Sequence, residues 1–439
     1  MTTAETHTPP APHSRPGLRD TRSPLWTGPF TLYFTARAVS LLGDAMMPVA
    51  AALAVGALYG VSGAGLVLGT WTGTFVLLVL FGGVLTDRIG ARRMMVAADL
   101  VRVLTQGVLA AAFFAGRPPF WLLVTMAAVA GAAVAMFLPG VNGMVPLVAA
   151  DPQRANATLK VADALAHLLG PALAGLLIAL TGAGAVYAID SGTFLLSALC
   201  LALVRPAPAD PGATGRPPGR PAVRPAARTA GPLRRELRQG WREFRARTWM
   251  WAVILVWMVF GVLLFGPLVP LGSALVADRL GPNAYGLAVS FLGVGTVLGG
   301  LVALRLRPAR PLAAGTVAMV LYTVLPLCVA VGAGLPVLLA GHVLGGAALA
   351  FWSVMWATSV QTHTPPAVLN RVSAYELAGS VSGISLGQLL AGPAAALASP
   401  DHLLLVSAGA CLAGCAVLFA LPAVRTLPRT PPAGPTATG

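Results

Sequence analysis

Charge is scarce in this 439-residue chain: Asp, Glu, Lys and Arg together make up 10% of it, and lysine occurs once, at Lys160. Water-soluble domains carry about 25% charged residues. No globule can hide a composition that is 56% hydrophobic with a mean hydropathy of +0.79, because part of its surface must face water. A soluble enzyme, a secreted disulfide scaffold and a disordered chain are therefore excluded. No Walker A pattern G-x-x-x-x-G-K-[ST] occurs, so the chain alone is not an ATP-driven pump. HExxH and CxxC are missing, and no GxSxG serine comes with triad partners. The sequence thus carries no catalytic constellation, no metal site and no cofactor signature, and it reads as a non-enzyme. Cysteine is sparse too. Cys200, Cys328, Cys411 and Cys415 all lie in apolar runs and read as small core residues.

What remains is apolar helix. Twelve apolar segments span 29–58, 62–85, 94–115, 119–149, 156–181, 184–204, 249–277, 283–304, 312–332, 335–360, 370–398 and 401–424. Each reaches the ~20 residues that cross a hydrocarbon core as helix, and none shows the ten-residue alternation of a β-barrel. The expected class is an all-α polytopic membrane protein. Its expected organisation is a disordered tail over 1–28, a six-helix bundle over 29–204, a basic linker over 205–248, a second six-helix bundle over 249–424 and a disordered tail over 425–439. Residues 1–28 are rich in Thr, Pro and Arg without an apolar core, unlike a signal peptide. Within the linker, Leu237, Trp241 and Phe244 recur at helical spacing among arginines, predicting an amphipathic helix over 233–247 that lies on the membrane.

The net charge of +15 would suggest nucleic acid for a soluble protein. Here it is a topology signal, and no nucleic-acid partner is expected. With both termini in the cytoplasm, twenty-five of the twenty-nine basic residues fall in cytoplasmic segments, eleven of them in the linker, against Arg117 and Arg279 outside. The positive-inside rule fixes that orientation in a plasma membrane, and the basic segments meet anionic lipid.

The halves repeat at an offset of 217 residues. Phe81-Gly82-Gly83 with Arg88 and Arg93 maps onto Leu298-Gly299-Gly300 with Arg305 and Arg310. Arg154, Gly170, Leu173, Ala174 and Gly175 map onto Arg371, Gly387, Leu390, Ala391 and Gly392. A parallel repeat about an axis along the membrane normal is a secondary-transporter architecture.

The loop after the second segment, Gly83-Val84-Leu85-Thr86-Asp87-Arg88-Ile89-Gly90-Ala91-Arg92-Arg93, resembles the loop 2–3 signature G-x-x-x-D-R-x-G-R-R/K of the major facilitator superfamily, with one basic slot shifted by a residue. The resemblance extends over 29–424 and implies twelve helices in two bundles, a small organic substrate and a monomer. It also implies an inner-gate latch formed by Gly83, Asp87, Arg88, Gly90, Arg92 and Arg93 that steadies the outward-open state. The second half has Leu304 and Arg307 where the latch needs its Asp and second Gly. Gly170-Pro171-Ala172-Leu173-Ala174-Gly175 looks like part of the kinked motif of exporters in this superfamily, though an upstream Gly is missing. More loosely, Arg37 with Gly43-Asp44, Phe137-Leu138-Pro139-Gly140 with Val145-Pro146, and Arg154-Ala155-Asn156-Ala157 look like the branch holding drug, macrolide and siderophore exporters.

Ionisable groups inside a bilayer need a partner, a cavity or a function. Asp44, seven residues beyond Arg37 on one helix face, is the expected main protonation site; the alternative is a static pair with Arg37 or another helix. Asp163 and His167 form an i,i+4 pair suited to a proton relay or to packing. Glu376 either binds protons or receives Arg contacts at the inner rim. Asp99 and Arg102 are expected as structural partners of the Arg88 region or Arg37, Asp190 as a hydrated group near the outer end, and His342 as a packing histidine. Trp257, Phe260, Phe265, Trp352, Trp356 and Gln361 are the expected cavity lining; aromatic surface with little charge suits a bulky amphiphilic or cationic substrate. Proton-coupled efflux is the expected function. Uptake, lysophospholipid flipping by the same fold, and a non-transporting receptor or scaffold remain as alternatives.

Overall fold

In a computed structural model, residues 25–149, 151–204, 247–364 and 366–429 are described, and they are almost wholly helical. The predicted linker helix over 233–247 and most of both predicted tails lie outside the described residues. The first element, Gly28–Ile89, spans 62 residues, or about 93 Å of helix, too long for one crossing. Gly60, at φ 66° and ψ −172°, breaks it, giving α1 (28–59) and α2 (61–89). There follow α3 (Ala91–Phe114), α4 (Phe120–Val148), α5 (Pro152–Thr181), α6 (Ala183–Leu203), α7 (Thr248–Leu280), α8 (Pro282–Arg305), α9 (Pro311–Ala330), α10 (Leu335–His363), α11 (Pro366–Leu397) and α12 (Pro400–Ala420). Among the described residues eleven helical stretches are long and apolar enough to cross a membrane, with Gly28–Val79 counted as one. With the break at Gly60 they make twelve spans, and helix is the form in which the backbone satisfies itself in lipid.

Gly60, Gly116, Gly182, Gly281 and Gly332 turn the chain with positive φ at one end of the bundle. Gly90, at φ 92°, turns it at the other. Only glycine adopts such angles without strain. The Gly90 end also carries Arg88, Arg92, Arg93, Arg305, Arg307 and Arg310, whereas Arg117 and Arg279 lie at the Gly60 end.

Helices 1–6 and 7–12 form two bundles built alike. Gly170 of α5 lies against Ala45 and Met46 of α1, where a Cβ would stand 2.7 Å from the Ala45 Cβ. Shifted by 217, Gly387 of α11 lies against Gly261 and Val262 of α7, with a hypothetical Cβ 2.6 Å from the Val262 oxygen. The repeat read from the sequence is therefore a repeat of helix packing, and small residues let the backbones approach. In α7 the contact falls on a π-helical turn, Gly261–Phe265, a local widening that α1 lacks.

The bundles meet where Met46, Val49 and Ala50 of α1 share a core with Leu271 and Val276 of α7, and along two seams that carry hydrogen bonds. In one, α5 meets α8: Gly175 and Gly286 lie back to back, and Ser290 Oγ accepts the Ala172 N–H at 2.8 Å. That N–H follows Pro171, whose ring removes a helix donor and bends α5. In the other, α2 meets α11: Thr72 Oγ1 donates to Gln388 Oε1 and Ser385 Oγ to the Gly69 carbonyl, both at 2.8 Å. All these seam contacts fall between residues 62–73 and 385–392 or between 167–175 and 282–293, in the half nearer Gly60. Continuing the same faces toward Gly90 by helical steps reaches Leu77 and Phe81 on α2, and Leu301 and Leu304 on α8. These side chains are 72%, 66%, 53% and 73% exposed. The molecule is closed at the Gly60 end and splayed toward the Gly90 end.

Candidate functional site: a buried ionic cluster and two cavities

The first bundle holds charge in its interior. Arg102 of α3 is 1% exposed. Its Nη1 lies 3.2 Å from both carboxylate oxygens of Asp44 on α1, and its Nη2 bonds Asp99, one turn back on α3. The other Asp99 oxygen accepts from Ser197 Oγ of α6 at 2.6 Å. Phe137 of α4 and Phe194 of α6 lie over the guanidinium, with centroids at 4.3 and 4.2 Å. Their ring faces attract a cation, and more strongly where water is excluded.

Asp190 of α6 completes the cluster. It is fully buried; Oδ1 accepts from Thr193 Oγ1 at 3.3 Å, and Oδ2 has no partner among the described residues. It packs against Gly43, where any Cβ would overlap its carboxyl. The expectation of a hydrated Asp190 near a helix end is thus corrected. So are the expected partners of Asp99 and Arg102: Arg102 pairs with Asp44, neither with Arg37 nor near Arg88, and it lies mid-helix. Arg37 instead rests 5.2 Å from the Phe137 ring.

A cavity of about 320 Å³ opens inside this bundle beside the cluster. Its walls are apolar, with Trp71, Met126, Tyr187 and Phe194 among them, and its polar members are Asp44, Arg102, Gln106 and His167. Asp44 is the most open acid of the cluster, with its side chain 36% exposed against 0% for Asp99. A second cavity, of about 360 Å³, lies in the other bundle between α7, α10 and α11, lined by Trp257, Trp352 and Trp356 with Ser353 and Ser380 as its polar members. Three of the six expected lining residues are found there. Phe260 is buried, and Phe265 stacks behind Trp257 at 5.2 Å and meets Tyr322 edge-on; both support the wall from behind. Gln361 is exposed at the end of α10. Both halves contribute cavity walls: the charged cavity lies in the first bundle and the tryptophan-lined one in the second.

The other expected residues are placed as follows. Asp163 and His167 do adjoin on α5 at 3.8 Å, but the imidazole Nδ1 lies closer to the Asp163 carbonyl, at 3.0 Å, and Lys160 joins the carboxylate at 3.6 Å. His342 is buried with Nδ1 2.8 Å from the Leu338 carbonyl, a packing histidine as expected. In the 83–93 loop, Gly90 makes the turn, Arg88 is exposed, and Arg92 bonds the Val204 carbonyl at the end of α6, a favourable site for a cation at a helix C-terminus. The side chains of Asp87 and Glu376 lie outside the described residues. Among the described residues no three His, Cys, Asp or Glu gather as metal ligands. Sequence reasoning missed Asp190 as a site residue, although Tyr187, Asp190, Phe194 and Ser197 recur on one face of α6 at helical spacing. That stripe was the available signal.

A 136-residue stretch is 26% identical to macrolide efflux protein A of Streptococcus pyogenes, covering 30% of this chain and 34% of that protein. In fold, the chain is similar to the nucleoside transporter NupG, with a TM-score of 0.69 at 12% identity over 89% of this chain and 99% of that one. It is also similar to an inward-facing, unoccupied bacterial homologue of the lysosomal transporter Spinster, with a TM-score of 0.67 at 15% identity over 91% and 98%. The family model described as Major Facilitator Superfamily matches residues 33–274, more than half of the sequence: with twelve helices in two repeated bundles, this chain belongs to the major facilitator superfamily of membrane transporters.

Proposed function

We propose that the protein exports small organic compounds in exchange for protons, working as a monomer in the plasma membrane with both termini in the cytoplasm. The observation that carries this reading is Asp44. Both it and its partner Arg102 line the 320 Å³ cavity, but the Asp44 side chain is 36% exposed and that of Arg102 2%, so a proton or a ligand can reach the carboxylate and compete with the guanidinium. An intramembrane acid of this kind is a functional group by default. Asp163, His167 and Glu376 are secondary candidates for the proton route. The Pro171 bend and the likeness to a macrolide efflux protein support export, and the arginine asymmetry supports the orientation. In that orientation the splayed Gly90 end opens to the cytoplasm. The loop around Asp87 and Arg88 then serves as the latch of the opposite, outward-open state.

The cavities suit a substrate with an apolar, partly aromatic body. The charged cavity offers the Asp44 carboxylate to a basic group, and the Trp257–Trp352–Trp356 wall offers ring faces. The test is accumulation of erythromycin and a panel of amphiphilic dyes in everted vesicles from cells overexpressing the protein. The expected result is accumulation that collapses with a protonophore and with Asp44→Asn. Accumulation indifferent to both rejects proton coupling, and accumulation only in right-side-out vesicles makes the protein an importer.

A further inference from the structure

Two carboxyls, Asp44 and Asp99, hold one guanidinium, Arg102, and a third, Asp190, is buried against Gly43, the neighbour of Asp44. Both terminal nitrogens of Arg102 are engaged, one by Asp99 and one by Asp44, while its Nε has no partner among the described residues. Asp99 is held on two sides, by Arg102 and Ser197. Among the described residues Asp190 has only the weak Thr193 bond, with Oδ2 unpartnered in a fully buried position. An ionised Asp190 would be a buried anion without a counter-ion, which protein interiors do not sustain. Two more buried atoms of the first bundle, Ser40 Oγ on α1 and Gln106 Oε1 on the cavity wall, also lack partners among the described residues.

We propose that Asp190 is a second coupling residue, and that Arg102 exchanges counter-ions between Asp44 and Asp190 as one proton passes between the two carboxyls. In the conformation seen here Asp44 is ionised on Arg102 and Asp190 carries the proton. In the exchanged state the O–H bond at Asp190 has broken and one at Asp44 has formed; Asp190 then pairs with Arg102, and the neutral Asp44 faces the cavity, where its proton can leave. One proton moves and nothing is oxidised or reduced. The contact of Asp190 with Gly43, next to Asp44, ties the swap to the position of α1 against α6. The titratable and charged groups facing Asp190 are Asp44 from α1, Asp99 and Arg102 from α3 and Tyr187 from its own helix; His167 of α5 lines the cavity that Asp44 faces. This inference rests on Asp44 as the coupling acid.

The test needs no substrate, so it stands apart from the efflux assay. Infrared spectra of the reconstituted full chain at neutral pH report a buried protonated carboxyl by its C=O stretch, which a carboxylate lacks. The expected wild-type spectrum contains one such band, and it shifts when aspartate is 13C-labelled. The band is lost in Asp190→Asn. It is also lost in Asp44→Asn, because Asp190 then ionises on Arg102 unopposed. In 13C-aspartate protein carrying Asp190→Glu, the band returns to the unlabelled position, which keeps the test alive where Asp190→Asn fails to fold. No band in wild type, or a band that survives Asp190→Asn, overturns the assignment of the proton. A band undiminished in Asp44→Asn makes Asp190 a permanently neutral packing acid and overturns the exchange. If these spectra fail while efflux still collapses with Asp44→Asn, the exchange alone is wrong.

Discussion

Replacing Arg102 with methionine tests the energetic centre of the first bundle. The substitution keeps an unbranched apolar side chain between Phe137 and Phe194 but removes every ionic contact. Asp99, with no exposed side-chain surface, is left with Ser197 alone. Breaking a buried ion pair from one side costs about 3–5 kcal/mol. The half-open Asp44 contact adds less than about 1 kcal/mol, because solvent screens it. Removing the partner as well, as Arg102→Met with Asp99→Leu, leaves no orphan charge at that pair, and exchange of a buried pair for apolar residues is often neutral. The double variant should therefore recover most of the loss, with a coupling of at least about 2 kcal/mol, inside the range found for contacting residues. SDS-driven unfolding in mixed micelles, followed by tryptophan fluorescence, reads the difference. Arg88→Met, at an exposed position, is the control and should change stability by less than about 0.5 kcal/mol. If Arg102→Met is as mild as the control, or the double variant is no better than the single, the cluster does not hold the bundle together as described.

Other outcomes follow from the same geometry. Gly286→Val should bias the molecule against closure at the Gly60 end, because a Cβ there would lie 2.5 Å from the Pro171 carbonyl oxygen and 3.0 Å from Gly175 Cα; faster thiol labelling of a cysteine placed at Ala172 checks it. Thr72→Val with Ser385→Ala removes both side-chain bonds of the α2–α11 seam. Each is worth about 0.6 kcal/mol on average in membrane bundles, so the pair should shift the opening equilibrium several-fold without unfolding the protein, measured by the same labelling. Gly43→Ala should disable transport while leaving expression intact, since the added methyl displaces the Asp190 carboxyl; unchanged efflux would show that this packing is irrelevant. Trp352→Ala should weaken binding of ring-bearing substrates more than of aliphatic ones, read by quenching of intrinsic fluorescence.

Much of this architecture was legible in the sequence because bilayer physics is coarse. Apolar length sets the spans, and the break between 58 and 62 matches the turn at Gly60. The 217-residue repeat foretold the packing of Gly170 and Gly387. What could not be read was which charges meet. Arg37 and Asp44 share a helix face at spacing seven, yet Arg102 comes in from α3 to claim Asp44, and one-dimensional spacing cannot say which helix arrives alongside. Asp190 was misjudged for the same reason: a single Asp in an apolar helix looks alike whether it faces water or Gly43 of another helix. Aromatic residues were overcounted as lining because Phe260 and Phe265 share α7 with Trp257 but point into the bundle wall.

The central claim is that two repeated bundles rock about the seams, opening one end as the other closes. Double electron–electron resonance tests it most directly, with spin labels at Thr181→Cys and Asn283→Cys across the α5–α8 seam at the Gly60 end, and in a second protein at Arg154→Cys and Leu306→Cys at the Gly90 end, both in a background where the four buried native cysteines are alanine. On changing pH in lipid nanodiscs, the account expects the first distance to lengthen as the second shortens, with Asp44→Asn locking one of the two populations. Distances that rise and fall together, or that ignore both pH and Asp44, would contradict it.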